Sequence, residues 1–240
     1  MSHRAERAET RVATIYTDGT YFRNNPAWHE DDSAWKAGHV LTLLRRNGIA
    51  PRSVCEVGCG AGEILRTLAG ELPDASFVGY EISPMAYAIS DRKAGGNLAF
   101  KFGDFLDDSV EFDVVMAIDV FEHVEDYFSF LRRLRPRARY KVFHIPLELS
   151  VQNVLRVSPL IHARRAVGHL HHFNRETALA ALEDTGYEIL DEFYTSGRTQ
   201  LGGLGWRTQL LKWPRRLTYS LSPEMAVRVL GGYSLMVLAS

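Results

Sequence analysis

The sequence predicts an α/β fold: an open, mostly parallel sheet with helices on both faces. Two observations carry this. Short apolar runs near 54–57, 77–80, 98–102, 112–118 and 139–145 alternate with stretches of helical periodicity, and that alternation places crossover helices on the two faces of a parallel sheet. The first run ends in Glu56-Val57-Gly58-Cys59-Gly60-Ala61-Gly62, three glycines at alternate positions ahead of a helix that begins at Glu63. With 240 residues, 46% hydrophobic and 24% charged, the chain has the size and composition of one domain, 1–240, with a large core.

Each element follows in order. After an aromatic, Asn- and Pro-containing stretch from Tyr16 to Asp32, a helix is expected from Ser33 to about Arg46. Ser33 is its N-cap, and Trp35, Val40, Leu41 and Leu44 form its apolar side. Gly48 to Arg52 leads into strand one, the helix from Glu63 ends near Glu71, and the turn at Pro73-Asp74 opens strand two at Phe77–Glu81. Strand three runs from Leu98 to Gly103-Asp104. Strand four starts at Phe112 and finishes in Asp119, with the continuous apolar core of a fully buried central strand. A helix over Tyr127–Leu134 precedes strand five, Arg139–Ile145. Another runs from Asn174, its N-cap, to about Thr185, closed by Gly186 ahead of strand six, Tyr187–Thr195. The last strand is Tyr233–Leu238.

Three segments fall outside this alternation: an N-terminal helical cap at 1–50 and insertions at 147–170 and 196–231. Ligands of open parallel sheets bind beyond the carboxyl ends of the strands, so both insertions are expected to cover that crevice and the substrate in it. The second, of about 35 residues, is too long for a structureless loop and should carry helix of its own. Ser222-Pro223-Glu224 supplies an N-cap, a proline at the first helical position and a first-turn acid. Surface elaboration or a dimer contact is the alternative use of that insertion.

The glycine run carries the first chemical inference. Glycines let the backbone turn tightly and approach a ligand closely. Glu56, two positions before Gly58, puts a negative charge beside the turn, so the ligand portion there is expected to be cationic. A dinucleotide loop would require its third glycine at position 63, where this chain has Glu63. A cradle with an acid beside it suits an amino-acid ammonium better than a phosphate. About 25 residues beyond Glu56, strand two ends in Glu81, near the ~20-residue offset of a carboxylate that accepts from both ribose hydroxyls. Strand three ends in Gly103-Asp104-Phe105, and strand four in Asp119-Val120-Phe121-Glu122-His123-Val124.

Taken in order, these four stations resemble the motifs of class I S-adenosylmethionine (SAM) dependent methyltransferases. Glu122-His123-Val124 is similar to the signature of the ubiquinone-type O-methyltransferases and their relatives. The resemblance implies a Rossmann-like, seven-stranded sheet of order 3-2-1-4-5-7-6 with the last strand antiparallel. It implies SAM as cofactor and S-adenosylhomocysteine (SAH) as product. Glu56, Gly58, Cys59, Gly60 and Gly62 would cradle the methionine end, and Glu81 would hold the ribose, with Ile82 next to it among the cofactor-binding residues. Asp104 would accept from the adenine amine while Phe105 covers the ring, with Asp119 and Val120 closing the site from strand four. Tyr21 or Lys36 would meet the methionine carboxylate, the alternative being that the N-terminal aromatics simply pack.

SAM is already an activated donor, so the protein has mainly to align a nucleophile with the sulfonium methyl and accept a proton. Histidine suits the second task. Of nine histidines, His171 or His172 is the first choice, with His144 near the end of strand five and His123 after strand four as the others. No metal is expected: magnesium needs several oxygen ligands, and although a transition metal could use His169, His171 and His172, such short histidine spacings usually arise without one.

Composition narrows the partners. A net charge of −1 and a pI near 6.8 give no electrostatic push toward nucleic acid or an anionic membrane. No stretch reaches the ~18 apolar residues of a membrane span. Cys55 and Cys59 are the two cysteines, both beside the glycine turn, which fits a reducing cytoplasm rather than a disulfide framework. The Pro-Pro-aromatic loop of nucleobase-amine methyltransferases is replaced by Asp119-Val120-Phe121-Glu122. The expected function is therefore methyl transfer to an oxygen or nitrogen of a small-molecule, specialised-metabolite acceptor by a monomer or homodimer. The alternative is a SAM-binding protein of the same fold that transfers no methyl: a regulator, a pseudo-enzyme, or an enzyme that uses SAM electrostatically.

Overall fold

The computed structural model describes residues 30–196 and 217–240. Seven strands form one sheet: β1 (Ser53–Val57), β2 (Ser76–Glu81), β3 (Leu98–Phe102), β4 (Phe112–Ile118), β5 (Ala138–Leu147), β6 (Ile189–Thr195) and β7 (Tyr233–Ala239). Their order is β3-β2-β1-β4-β5-β7-β6. β1 through β5 pair in parallel, and β7 runs antiparallel to both β5 and β6. This is the order and the strand direction that the sequence motifs imply. Alternate residues feed opposite faces, as strand geometry requires. Val54, Met116 and Val142 pack with Leu41 and Leu65 of α1 (Glu30–Arg46) and α2 (Glu63–Glu71). Cys55, Ala117 and Phe143 face the other way. They pack with Leu131 and Leu182 of α4 (Tyr127–Leu134) and α7 (Arg175–Asp184), while α3 (Pro84–Ser90) joins β2 to β3.

Several boundaries differ from the sequence expectation for physical reasons. α1 starts at Glu30, so Ser33 is not its N-cap but a buried residue inside the first turns. Asp32 pairs with Lys36 one turn on, at 3.0 Å, and acids at a helix start are favoured by the backbone dipole. β5 runs two residues past Ile145, because β7 continues to pair with it beyond the end of β4. Tyr187 is not yet strand: its hydroxyl donates to the Leu131 carbonyl at 2.7 Å and its ring packs on Phe143. α7 has the expected cap, with Asn174 and Thr177 bonding each other reciprocally.

Both insertions contain helix. After β5 come α5 (Val151–Arg156) and α6 (Ser158–Ala166), separated by Val157 at φ 57°. The second insertion ends in α8 (Pro223–Leu230), where the Ser222 hydroxyl accepts the Met225 amide at 3.4 Å. α8 packs against α5. At Gly231 (φ 62°) a Cβ would stand 2.4 Å from Ser150 Oγ, so the chain leaves α8 tightly against the start of α5. No helix among the described residues is long and apolar enough to cross a membrane.

Candidate active site

The three glycines of the β1–α2 bend all adopt the left-handed conformation, with φ of 67° at Gly58, 54° at Gly60 and 79° at Gly62. They differ in surroundings. A Cβ on Gly62 would meet the Phe100 ring at 2.5 Å and one on Gly58 would meet Val120 Cγ2 at 3.2 Å, whereas Gly60 faces open space. Backbone amides pin the bend to β2: Gly58 and Cys59 donate to the Tyr80 carbonyl at 2.9 and 3.1 Å. The Gly60 amide donates to Glu81 Oε2 at 2.8 Å, and the Ser83 amide donates to Glu81 Oε1 at 2.7 Å. The expected ribose carboxylate thus also holds the bend. Burial pushes the Glu81 carboxyl above its ordinary range, opposed by the amides of Ser83 and Gly60. Cys59 joins with its backbone, its sulfur being turned toward Gly79.

Beside the bend lies a buried charge cluster. Lys36 Nζ is 3.0 Å from Asp32 and 2.9 Å from Asp119. Burial opposes its charge, but the two carboxylates outweigh it and hold the ammonium well above its usual value. Asp119, at φ 54°, uses its other oxygen to bind His144 Nδ1 at 2.6 Å. Burial would lift its carboxyl, yet His144 and Lys36 hold it far below the usual carboxylate range. Glu56 is fully buried, and its Oε2 has no hydrogen-bond partner among the described residues. Burial pushes Glu56 up to about 8, relieved by Lys36 and reinforced by Glu81 and Asp119. Four carboxyl groups, those of Asp32, Glu56, Glu81 and Asp119, lie around one ammonium. That arrangement favours a further cation.

At the adenine end the expectation changes. Asp104 caps the short turn after β3, its Oδ1 accepting the Leu106 amide at 2.9 Å. Phe105 does not cover a ligand ring: it is completely buried in the core, 5.1 Å from the Tyr80 ring. The exposed apolar side chains at the carboxyl ends of β2 and β3 are instead Ile82 (50%) and Phe102 (57%). Ile82 is one of the expected cofactor residues; Phe102 is not.

The four candidate histidines separate clearly. His144 has both ring nitrogens engaged, by Asp119 and by Thr195 Oγ1 at 2.8 Å. His171 Nε2 lies 3.0 and 3.2 Å from the carbonyls of Val124 and Glu125, tying its own loop to the one after β4. Burial, then the nearby His169, pushes His123 down to about 4. His172 Nδ1 meets Glu148 Oε2 at 2.5 Å, and His169 Nδ1 is 3.0 Å from Glu148 Oε1. Burial opposes ionisation of Glu148, but the two histidines outweigh it and hold the carboxyl below its ordinary range. The Glu122 carboxyl is buried, and neither of its oxygens has a hydrogen-bond partner among the described residues. Its backbone carbonyl accepts the amides of Leu170 and His171 at 2.8 and 3.1 Å, which brings the histidine loop to the end of β4.

Residues 27–192 match the family described as the methyltransferase domain. The chain belongs to that family. Solved structures agree on the fold. A magnesium protoporphyrin IX methyltransferase from Synechocystis PCC 6803 with bound SAH superposes with a TM-score of 0.59 at 20% identity, over 86% of this chain and 82% of that one. A methyltransferase in complex with the Haloferax volcanii Trm112 activator gives 0.65 at 14% identity, over 95% and 96%. The cyclase SpnF gives 0.55 at 16% identity, over 85% and 80%. None of the curated proteins compared matches the sequence.

Within this methyltransferase the fold brings most of the expected cofactor residues to one region. Glu56, the glycine bend, Glu81, Asp119, Val120 and Lys36 are joined by the contacts above. Tyr21 lies outside the described residues. Glu148 was not foreseen, and His169 was considered only as a member of the cluster with His171 and His172. The signal for Glu148 was available, since an acid directly after β5 occupies the same kind of position as Asp119 after β4.

Proposed function

We propose that this methyltransferase moves the methyl group of SAM to an oxygen or nitrogen of a small-molecule acceptor bound beyond the ends of β4 and β5. The observation that carries the cofactor half is the unpartnered, fully buried Glu56 oxygen beside a left-handed glycine bend. A methionine ammonium satisfies that oxygen, and the open space at Gly60 admits the amino-acid end. Glu81 serves the ribose from the side opposite its backbone amides, and Ile82 with Phe102 flank the adenine. Lys36 is committed to two carboxylates, so its part is to position Asp119 and to close α1 against the site. When bound, SAM supplies an electrophilic methyl; every other task falls to the chain.

The acceptor end rests on Glu148, His169 and His172. His144 spends both ring nitrogens and His171 its Nε2 on structure, and His123 is too weakly basic at neutral pH to take a proton efficiently. His172, oriented by Glu148, stands where the acceptor's proton departs. α5, α6 and α8 cover this end of the crevice, and their apolar side chains suit a largely apolar, small-molecule acceptor. The supporting comparison is with relatives of this fold whose acceptors are small molecules, the porphyrin methyltransferase among them.

The fold by itself is shared with a cyclase, so a SAM binder that transfers no methyl is the second reading. Calorimetric titration with SAH tests the cofactor site, and methyl incorporation from labelled SAM into extracts of small metabolites tests transfer. Absence of SAH binding removes the proposal. Binding with no labelled product in any fraction selects the second reading.

A further inference from the structure

Among the described residues, two sets of histidine and carboxylate side chains bring their ligand atoms within 4.8 Å of one another, and His169 belongs to both. One set is Glu122, His123 and His169; the other is Glu148, His169 and His172. They differ in access. The Glu122 side chain is 1% exposed and sealed beneath the loop, whereas the side chains of Glu148 and His172 are each 20% exposed. The second set is the more accessible of the two. In the second set both imidazoles turn Nδ1 toward the same carboxylate, at 3.0 Å for His169 and 2.5 Å for His172. His169 Nδ1 is buried without hydrogen-bond geometry to any partner among the described residues, so its distance to Glu148 is a close approach rather than a satisfied bond. Two nitrogens and a carboxylate converging on one point, one of the nitrogens unsatisfied, is the donor set of a metal centre.

We propose that Glu148, His169 and His172 bind a divalent transition-metal ion of the zinc class. Imidazole donors favour such ions over magnesium, and two histidines with one glutamate form a three-ligand set that leaves a coordination position open. The histidine cluster was visible in the sequence, but its carboxylate partner was not. His169 and His172 are three residues apart on a loop, and the third ligand comes from the end of β5, a contact made only once the loop is pinned to the Glu122 carbonyl. With an ion bound, His172 serves as a ligand in place of the proton-accepting role proposed above, and an acceptor oxygen taking the remaining coordination position would be polarised and would release its proton more readily to solvent. This role rests on the proposed methyl transfer; the ion site itself does not.

The test uses the full chain, stripped of metal with a chelator and titrated calorimetrically with Zn²⁺, then spectroscopically with Co²⁺. His172→Ala and Glu148→Gln are compared with the wild type. The exposed His162, changed to Ala, controls for surface histidines. One Zn²⁺ per chain is expected, with affinity falling at least about 100-fold in the two ligand variants and unchanged in His162→Ala. SAH titration of the same samples reports folding and the cofactor site independently. If SAH fails to bind while Zn²⁺ binds, the cofactor reading falls and the metal site stands. Zn²⁺ affinity that survives both ligand substitutions, a site that prefers Mg²⁺, or no stoichiometric binding overturns the metal site. Should a variant misfold, the wild-type Co²⁺ spectrum decides: bands of low-symmetry, imidazole-containing coordination are expected, and the spectrum of the hydrated ion refutes the site.

Discussion

Lys36 on the first helix lies 2.9 Å from Asp119 at the end of the fourth strand, and this ion pair fastens the N-terminal helix to the site. Removing one partner of such a pair leaves a poorly solvated charge behind. Lys36→Met should therefore destabilise the protein by about 3 kcal/mol, the low end of the range for a buried pair broken on one side, because the Asp119 side chain keeps some solvent contact. In a chain of this size that lowers the melting temperature by roughly 6–12 °C. Thermal denaturation measures it, and adding Asp119→Asn should recover part of the loss. An unchanged melting temperature in the single variant would show that the pair contributes nothing.

Glu56 makes cofactor binding depend on pH. Its folded value of about 8 lies above the ordinary 4.5, so the folded, ligand-free chain keeps this proton where the unfolded chain has released it. The stabilising contribution is full below about 4.5 and is lost as the pH rises through about 8. Melting temperatures of Glu56→Gln should fall less than those of the wild type across that window.

A cation placed against Glu56 favours its ionised form. SAH binding below pH 8 should thus release a proton, seen as a dependence of calorimetric heat on the buffer's ionisation enthalpy. Glu56→Gln should remove the proton release and weaken SAH about 10- to 100-fold. Buffer-independent heats in the wild type would place the ammonium elsewhere.

The glycines of the bend should fail in different ways. Gly62→Ala forces a Cβ to 2.5 Å from Phe100 in a left-handed conformation, so it should lower stability by more than the ~1–2 kcal/mol of backbone strain alone. Gly60→Ala meets no atom and should cost only that strain, whereas Gly60→Arg fills the open space and should abolish SAH binding while the protein stays folded. Denaturant titrations alongside SAH calorimetry separate the two. SAH bound normally by Gly60→Arg would mean that this space is not the ligand's.

His171 and His172 are adjacent and should behave oppositely. His171→Ala removes a ring bond to two loop carbonyls and should cost about 1 kcal/mol of stability with little change in kcat. His172→Ala should lower turnover about 100-fold or more with SAH affinity retained. Equal kinetic losses in the two variants would contradict the assignment of His171 to structure.

Much of this was legible before any coordinates. Alternating apolar runs and helical periodicity gave the sheet its parallel strands, because those patterns depend on each residue's neighbours within a few positions. The glycine spacing and the acids at the strand ends gave the bend and the candidate cofactor residues for the same local reason: a bend needs its glycines in the bend itself. Phe105 was misjudged because position beside a motif does not reveal which way a side chain turns, and the core claimed it. The start of α1 was misjudged because Ser33 is a good cap on its own, while Asp32 bonding forward to Lys36 made an earlier start better.

The sequence by itself determined the run of strands and helices, the glycine bend and the strand-end carboxylates, since each is written in contiguous residues; the strand order came from the resemblance those motifs carry. Only the tertiary structure decided which histidines are spent on support and which converge on Glu148. Asp119 with His144, and Glu148 with His169 and His172, are pairings between segments more than 20 residues apart. Such contacts depend on where the backbone brings a loop to rest, which no local pattern of residues encodes.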